Sequence, residues 1–288
     1  MMRGQELNLN EAAWRDRNSG ARVIAVASGK GGVGKTNLTV NLAVELSRRG
    51  YRVAVFDADL GMANVEVLLG IVPQYTLYDY LYQGKRMDEI LAFSPLSVQV
   101  ISGGSGFVEL ANLEPELSGR LGQGLQELDR MFDFILVDNG AGISKTVLGF
   151  LAAADEVIMV ITPEPTSLTD GYGLIKVLSK YHVHNRIMVV INRALDQREA
   201  QSTFQRLEYT ADKFLQVQLV NLGTILEDKS VVQAVKSQKP FIVGASSSSA
   251  AQSLAGIADC LVSGKKGEEP QGAQGFFGKL IRLFGRRS

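Results

Sequence analysis

The stretch from Ser28 to Asn37, "SGKGGVGKTN", decides the fold that we predict for this chain. It follows an apolar run at 22–28, "RVIAVAS", and opens a helical pattern at 36–49. Its spacing from residue 29 to residue 36, G-x-x-x-x-G-K-T, is that of a phosphate-binding P-loop between a strand and a helix. The glycines let backbone N–H groups point at phosphate oxygens, and the helix N-terminus adds partial positive charge.

The loop supplies most of the predicted nucleotide contacts. We expect the Lys35 ammonium to reach the β- and γ-phosphates and to assist catalysis, and the Thr36 hydroxyl to bind Mg²⁺. The other predicted contacts within the loop are Gly29, Gly31, Gly32, Val33, Gly34 and Asn37.

Short β-branched runs alternate with helical patterns along the chain, and most of the runs are nearly continuous in apolar residues. Such runs are typical of strands covered on both faces in a parallel sheet. The predicted strands are 22–28, 52–57, 98–102, 134–138, 156–162, 186–192 and 219–225, and the predicted helices include 36–49, 115–130, 167–180, 199–214 and 229–237. This alternation predicts an α/β fold with a doubly wound, mostly parallel sheet over residues 21–262.

Three aspartates lie where two of these strands end. Asp57 ends the second strand, Asp59 lies on the loop after it, and Asp138 ends the run "FILVD". Ligands of doubly wound sheets bind at the carboxyl ends of strands. Asp138 therefore fits a Mg²⁺-binding aspartate, Asp57 would support the metal shell, and Asp59 would orient the attacking water. A helix or turn cap is the alternative, above all for Asp57.

The run "RIMVVIN" indicates which base is bound. A guanine-specific P-loop protein usually carries Asn-Lys-x-Asp after a late strand. Here Asn192 and Arg193 are followed two residues later by Leu195, which stands where the guanine-binding aspartate would be. We therefore predict ATP as the nucleotide, with Asn192 hydrogen-bonded to the adenine edge and Arg193 packed alongside.

Composition narrows the possible functions. Hydrophobic residues make up 45% and charged residues 21% of the chain, an ordinary balance for a globular protein. Thirty basic and thirty acidic residues give no argument for nucleic acid as a partner. The single cysteine, Cys260, excludes an internal disulfide and an iron–sulfur cluster held by one chain. We find neither a long apolar window nor a secretory signal, and expect a cytoplasmic protein or one at the inner face of the cell membrane.

Five stretches resemble the MinD/ParA family of ATPases, over about residues 20–262: "GKGGVGKTN", "DADLGMANVEVLLG", "DNGAGI", "EPTSLTDGYGLIKVL" and "INRA". In that family the first lysine of the loop reaches across a dimer interface to the partner subunit's ATP. The resemblance therefore implies that Lys30 has a catalytic role in an ATP-dependent homodimer. Since Lys35 already serves the phosphates of its own subunit, an outward-facing Lys30 needs another anion, which a facing triphosphate would provide. Slow ATP hydrolysis would then release the two subunits.

Within the family, "EPTSLTDGYGLIKVLSKYH" and "DADLGMANVEVLLG" are most similar to the FlhG/FleN/YlxH branch, which controls flagellar number and placement. This resemblance implies an FlhF-type GTPase, flagellar switch components or a flagellar transcription activator as partners. The segment at 10–17, "NEAAWRDR", loosely resembles the part of FlhG that stimulates its partner GTPase; a plain tail is the alternative. A MinD-like division-site ATPase and a ParA-like DNA-binding ATPase are the competing functions.

Three segments fall outside the predicted ATPase domain: a flexible lead-in at 1–20, a linker at 263–275 and a C-terminal helix at 276–288. Large apolar side chains of this helix fall within an arc of about 160°, opposite its basic residues. They are Phe276, Phe277, Leu280, Ile281, Leu283 and Phe284. A basic amphipathic helix of this kind is typical of binding to an anionic membrane surface. Docking on its own domain is the alternative, and the two states could alternate, with the helix hidden in the monomer and released in the dimer.

Overall fold

The structure, a computed structural model, describes residues 20–59, 64–103, 115–264 and 270–284. The strands in these residues are β1 (Arg22–Ala27), β2 (Val53–Asp57), β3 (Leu91–Phe93), β4 (Val98–Ser102), β5 (Phe134–Asp138), β6 (Glu156–Ile161), β7 (Arg186–Ala194) and β8 (Gln218–Leu226). The helices are α1 (Lys35–Arg48), α2 (Asn64–Leu69), α3 (Leu77–Tyr82), α4 (Met87–Ile90), α5 (Pro115–Met131), α6 (Lys145–Ala153), α7 (Pro165–Lys180), α8 (Gln197–Phe214), α9 (Lys229–Lys236), α10 (Phe241–Gly244), α11 (Ser249–Ser263) and α12 (Gly272–Phe284).

One eight-stranded sheet, in the order β3-β4-β2-β5-β1-β6-β7-β8, organises the fold. Only the β3–β4 pair is antiparallel, so the structure confirms the predicted doubly wound, mostly parallel sheet. The seven predicted strands are present with ends within two residues of the prediction. The edge strand β3 was not predicted, because three residues are too few to show a strand pattern.

Helices cover both faces of this sheet. Every residue of β1 is buried, with Val23 and Ala25 in one core and Ile24 and Val26 in the other. The first core also includes residues of α3 to α8 and α12, and the second those of α1, α2 and α9 to α11. Burial of both faces explains the continuous apolar runs in the sequence.

The C-terminal helix α12 packs against its own domain, mainly on α5 and α6. It begins at Gly272, four residues before the predicted start at 276. Phe276, Phe277 and Leu280 are at most 3% exposed, and the Phe276 ring stacks on that of Phe150 with 6.1 Å between the centroids. Half of the predicted membrane-binding face is therefore buried in the single chain.

The rest of that face is less buried or lies outside the described residues. Ile281 is half-buried, Leu283 is 53% exposed, and the Phe284 side chain is outside the description. Residues 1–19, which include the segment at 10–17, and residues 265–269 of the predicted linker also lie outside the described residues. Helix α11 extends to Ser263, the first residue of the predicted linker. No helix among the described residues is long and apolar enough to cross a membrane.

The carboxylate of Asp129, on α5, fastens the start of α12. It accepts hydrogen bonds from the backbone N–H groups of Ala273 at 2.6 Å and Gln274 at 3.2 Å. It also accepts one from Ala21 at 3.0 Å, just before β1. A negative charge at a helix N-terminus is favourable because it satisfies free N–H groups and interacts with the helix dipole.

The Asp155 carboxylate makes a second attachment, just before β6. It accepts hydrogen bonds from the N–H groups of Gln271 at 2.8 Å and Val23 at 2.9 Å. Burial raises the pKa of Asp155 to about 6, although these two bonds and the nearby charge of Lys279 act in the opposite direction. The sheet and the C-terminal helix are thus tied together by two acidic side chains.

Candidate functional site

The loop between β1 and α1 lies at the carboxyl edge of the sheet and depends on its glycines. Gly32 and Gly34 have φ of 77° and 97°, in the left-handed region that favours glycine. A Cβ atom on Gly29 would lie 2.2 Å from the carbonyl carbon of Asp170 in α7. The loop therefore packs directly against the backbone of α7, with no space for a side chain at position 29.

Lys35 and Thr36 open α1 beside the carboxylate of Asp138. Burial lowers the pKa of Lys35, while the negative charges of Asp138 and Asp59 counteract it. The Thr36 hydroxyl is hydrogen-bonded to Asp138, and the Thr39 hydroxyl lies 3.1 Å from Asp138 Oδ1. The predicted phosphate-binding lysine and metal-binding hydroxyl thus lie together at one end of the sheet. Thr39 was not predicted, because it follows the loop motif by one helical turn.

Asp57 and Asp138 are opposite each other on the adjacent strands β2 and β5. Burial raises the pKa of Asp57 to about 7, and the charge of Asp138 adds to this rise. Burial also raises the pKa of Asp138 to about 6, against the opposing effects of the Thr36 hydrogen bond and the Lys35 charge. Within the described residues, Asp57 Oδ2 is buried without a hydrogen-bond partner. Two buried carboxylates with raised pKa values and an unsatisfied oxygen suit a divalent cation.

These residues fit Mg²⁺ shared with a nucleotide. No group of three or more histidine, cysteine, aspartate or glutamate side chains in the described ranges could hold a metal ion. Mg²⁺ commonly binds through one or two carboxylates together with substrate phosphates and water. Asp57, Asp138 and Thr36 would be the protein's contribution to that set.

Asp59 lies at the rim of the site. Its N–H donates to Asp57 Oδ1 at 3.0 Å, and its carboxylate contributes to the field at Lys35. A Cβ on Gly140, in the loop after β5, would be 3.8 Å from Asp59 Oδ1. Asp59 therefore faces the loop that follows Asp138, and its role in orienting water stays a prediction.

Lys30 is paired with an anion of its own chain. Its Nζ lies 2.5 Å from Glu164 Oε2 and 2.9 Å from the Thr166 hydroxyl, at the start of α7. The hydrogen bond from Lys30 and its charge lower the pKa of Glu164. Glu164 was not singled out from the sequence, although it closely follows β6 at the carboxyl edge and opens the stretch "EPTSLTDGYGLIKVL". Within the single chain, the charge of Lys30 is thus already paired with that of Glu164.

The two residues predicted near the base have different surroundings. Asn192 Nδ2 donates a hydrogen bond to the backbone carbonyl of Val33, inside the P-loop, at 2.8 Å. Arg193 has a φ of 59°, and its guanidinium is 4.0 Å from Glu227 Oε1, with both side chains 53% exposed. The adenine contacts of Asn192 and Arg193 stay predictions, but the structure places Asn192 against the phosphate loop.

A glycine-shaped loop, a buried lysine and two strand-end carboxylates define a P-loop nucleotide-binding site. Residues 24–241 match the model of the CobQ/CobB/MinD/ParA nucleotide binding domain, and the chain belongs to this family.

Known proteins resemble the chain along most of its length. The antiactivator FleN of Pseudomonas aeruginosa is 39% identical over 256 residues, which is 89% of this chain and 91% of FleN. The flagellum site-determining protein YlxH of Helicobacter pylori is 32% identical over 96% of this chain and 95% of YlxH. The septum site-determining protein MinD of Pyrococcus horikoshii, solved with Mg-ADP, superposes with a TM-score of 0.66 at 26% identity, over 86% and 99% of the two chains. The similarity thus extends well beyond the phosphate loop.

Proposed function

We propose that this protein is a Mg-ATP-dependent ATPase switch that dimerises on ATP, associates with the cell membrane and regulates the number or placement of flagella. The observation that carries the proposal is a second cation, Lys30, in the same loop as Lys35, which lies beside the carboxylate of Asp138. The flagellar part is supported by the similarity to FleN and YlxH, which covers about nine-tenths of the chain or more.

The Lys30–Glu164 pair supports the dimerisation step. The Lys30 side chain is 36% exposed and that of Glu164 is 51% exposed, so the pair is solvated and adds little stability. A triphosphate on a facing subunit carries more negative charge than one carboxylate. Lys30 would therefore exchange Glu164 for the partner's ATP, and the nucleotide would join the two subunits.

Hydrolysis would end this state. When bound, Mg²⁺ supplies charge stabilisation at the phosphates. Lys35 would hold the phosphates of its own subunit, Asp59 would orient the attacking water, and Lys30 would stabilise the partner's developing charge. In the related arginine-finger case, such a cation supplied in trans contributes about 10³–10⁵ in rate. Loss of the γ-phosphate would return Lys30 to Glu164 and separate the subunits.

Membrane association requires α12 to leave its groove. Burial of Phe276, Phe277 and Leu280 favours docking by roughly 5–9 kcal/mol, before the conformational entropy lost by the ordered helix is subtracted. Burial of the same side chains in a bilayer gives a similar gain. For a single helix the apolar contribution is therefore nearly balanced, and the hydrogen bonds from Ala273 and Gln274 to Asp129 favour the docked state. Two helices on one dimer gain about 10²–10⁴ through effective concentration, so ATP-driven dimerisation would favour the membrane-bound state.

A surface remote from the nucleotide fits a protein partner. Tyr209 and Phe214, in the second half of α8, are each about two-thirds exposed. Lys213 lies over the rings of Tyr209 and Phe214, at 5.7 and 5.5 Å. Exposed aromatic residues of this kind dominate binding energy at many interfaces. We assign this surface to the FlhF-type GTPase, flagellar switch or transcription-activator partner.

A MinD-like role in division-site placement is the second candidate, because the solved MinD chain superposes over nearly its full length. Counting flagella and measuring cell lengths in a deletion strain separates the two functions. We expect altered flagellar number with normal cell length, restored by the wild-type gene and by Lys236→Ala but not by Lys35→Ala. Filamentous or minicell-forming cells with normal flagella would contradict the flagellar role.

Pelleting with anionic vesicles and with DNA tests whether the protein binds a membrane or a nucleic acid. We expect wild-type protein with Mg-ATP to pellet with vesicles of anionic lipid, and a chain lacking residues 276–288 to stay in solution. Pelleting with DNA alone would instead support a ParA-like function.

A further inference from the structure

The geometry points to Asn192 as a positioning residue that holds the P-loop in its phosphate-binding shape. This inference rests on the proposed nucleotide function and assigns one residue of that site. Asn192 Nδ2 lies 2.8 Å from the Val33 carbonyl oxygen and joins positions 159 residues apart in the chain. The contact thus links the predicted base side of the pocket to its phosphate side.

The strand places Asn192 on the appropriate face. Side chains alternate along β7, with Ile191 in the core on one face of the sheet and Val190 in the core on the other. Asn192, one residue after Ile191, therefore points to the face of Val190. Val33 is 3% exposed and belongs to the core on that same face. The P-loop is thus anchored through the Val33 side chain and held by Asn192 through its carbonyl.

One hydrogen bond of this kind orients a complete peptide group. The peptide between Val33 and Gly34 is planar and trans, so its C=O and N–H point in opposite directions. With the carbonyl held toward Asn192, the Gly34 N–H points away from Asn192. Backbone N–H groups of such loops are the donors that bind phosphate oxygens. Without Asn192, that peptide would be free to rotate and would bind phosphate less well.

The fit around Gly34 leaves little room for another arrangement. A Cβ on Gly34 would lie 2.5 Å from Asn192 Nδ2, so any side chain at 34 would displace Asn192. The φ of 97° at Gly34 also favours glycine. The glycine thus permits both the turn of the loop and the close approach of the Asn192 amide.

Binding of a ligand that has phosphates but no base separates this role from adenine recognition. We would measure the Kd of Mg-ATP by calorimetry and that of inorganic tripolyphosphate by displacement of a fluorescent ATP analogue. Hydrogen exchange of the peptide 29–38 in the nucleotide-free full chain gives a second readout. The variants are Asn192→Ala, Asn192→Asp and the matched control Asn185→Ala, an exposed asparagine just before β7.

We expect Asn192→Ala to weaken tripolyphosphate and ATP by a similar factor, about tenfold for one lost hydrogen bond, and to accelerate exchange at 29–38. Asn192→Asp should weaken both further, because a carboxylate cannot donate to the Val33 carbonyl and repels phosphate. Asn185→Ala should change neither.

Two results for Asn192→Ala would overturn the assignment. The first is a loss of affinity for ATP but not for tripolyphosphate, which would make Asn192 a base-binding residue. The second is unchanged hydrogen exchange of the loop together with unchanged affinity for both ligands. Failure of the wild-type chain to bind ATP would contradict the proposed function itself and is distinguishable from both.

Discussion

Asp129→Ala should release the C-terminal helix without altering that helix. The substitution removes the acceptor for two N–H groups at the start of α12, Ala273 at 2.6 Å and Gln274 at 3.2 Å. Hydrogen bonds to a charged acceptor contribute about 1.5–3 kcal/mol each, and Asp129 accepts two of them from the start of α12. We therefore expect docking to weaken by about 3–6 kcal/mol, which is roughly 10²-fold to 10⁴-fold in the docking equilibrium.

Hydrogen exchange of the segment 272–284 measures this change directly, because local opening lowers amide protection by the same factor. Asp129→Asn should fall between wild type and Asp129→Ala, since it keeps an acceptor oxygen but loses the charge. The control is Asp259→Ala, at a 71% exposed side chain that pairs with Arg49. Asp129→Ala should also increase pelleting with anionic vesicles in the absence of ATP. Unchanged exchange in 272–284 would refute the reasoning that Asp129 holds the helix.

Other substitutions test the nucleotide site. Glu164→Gln removes the carboxylate that pairs with Lys30 and should strengthen ATP-dependent dimerisation only a few-fold, because an exposed ion pair is weak. Analytical ultracentrifugation, with Glu208→Gln as the control, measures this change. Weaker dimerisation of Glu164→Gln would argue against an exchange of Glu164 for the partner's ATP. The pKa of Asp57 is raised to about 7, so its carboxyl group holds a proton at pH 6.5 in the nucleotide-free protein. Mg²⁺ must displace this proton when it binds. The affinity for Mg-ATP should therefore rise from pH 6 to 8. Calorimetry in two buffers should detect proton release that Asp57→Asn reduces; equal release in both proteins would contradict the assignment. Asp59→Ala should bind ATP normally but hydrolyse it near the background rate, and normal turnover in a phosphate-release assay would exclude Asp59 as the water-orienting group.

The parts of the site that local sequence determines could be predicted. The P-loop is a continuous motif after a buried strand, and Asp57 and Asp138 end strands whose apolar pattern is clear. Parallel topology then brings the carboxyl ends of those strands to the same edge. Local patterns were sufficient for these residues because each is positioned by the element to which it belongs.

The contacts that connect distant segments could not be predicted in this way. Lys30 and Glu164 are 134 residues apart, and Asn192 and Val33 are 159 residues apart. The amphipathic pattern of α12 predicted an apolar face but could not decide between a membrane and the groove beside α5 and α6, because both bury the same side chains. Pairing across such distances depends on packing, which single-segment patterns do not encode.

Light scattering tests the central claim, that a lysine of one subunit completes the ATP site of another. We would saturate Asp59→Ala with Mg-ATP and compare it with the double variant Lys30→Ala/Asp59→Ala at the same concentration. We expect the single variant to show twice the monomer mass and the double variant to bind ATP yet remain at the monomer mass. A monomer mass for Asp59→Ala, or a doubled mass for both variants, would contradict ATP-dependent dimerisation through Lys30.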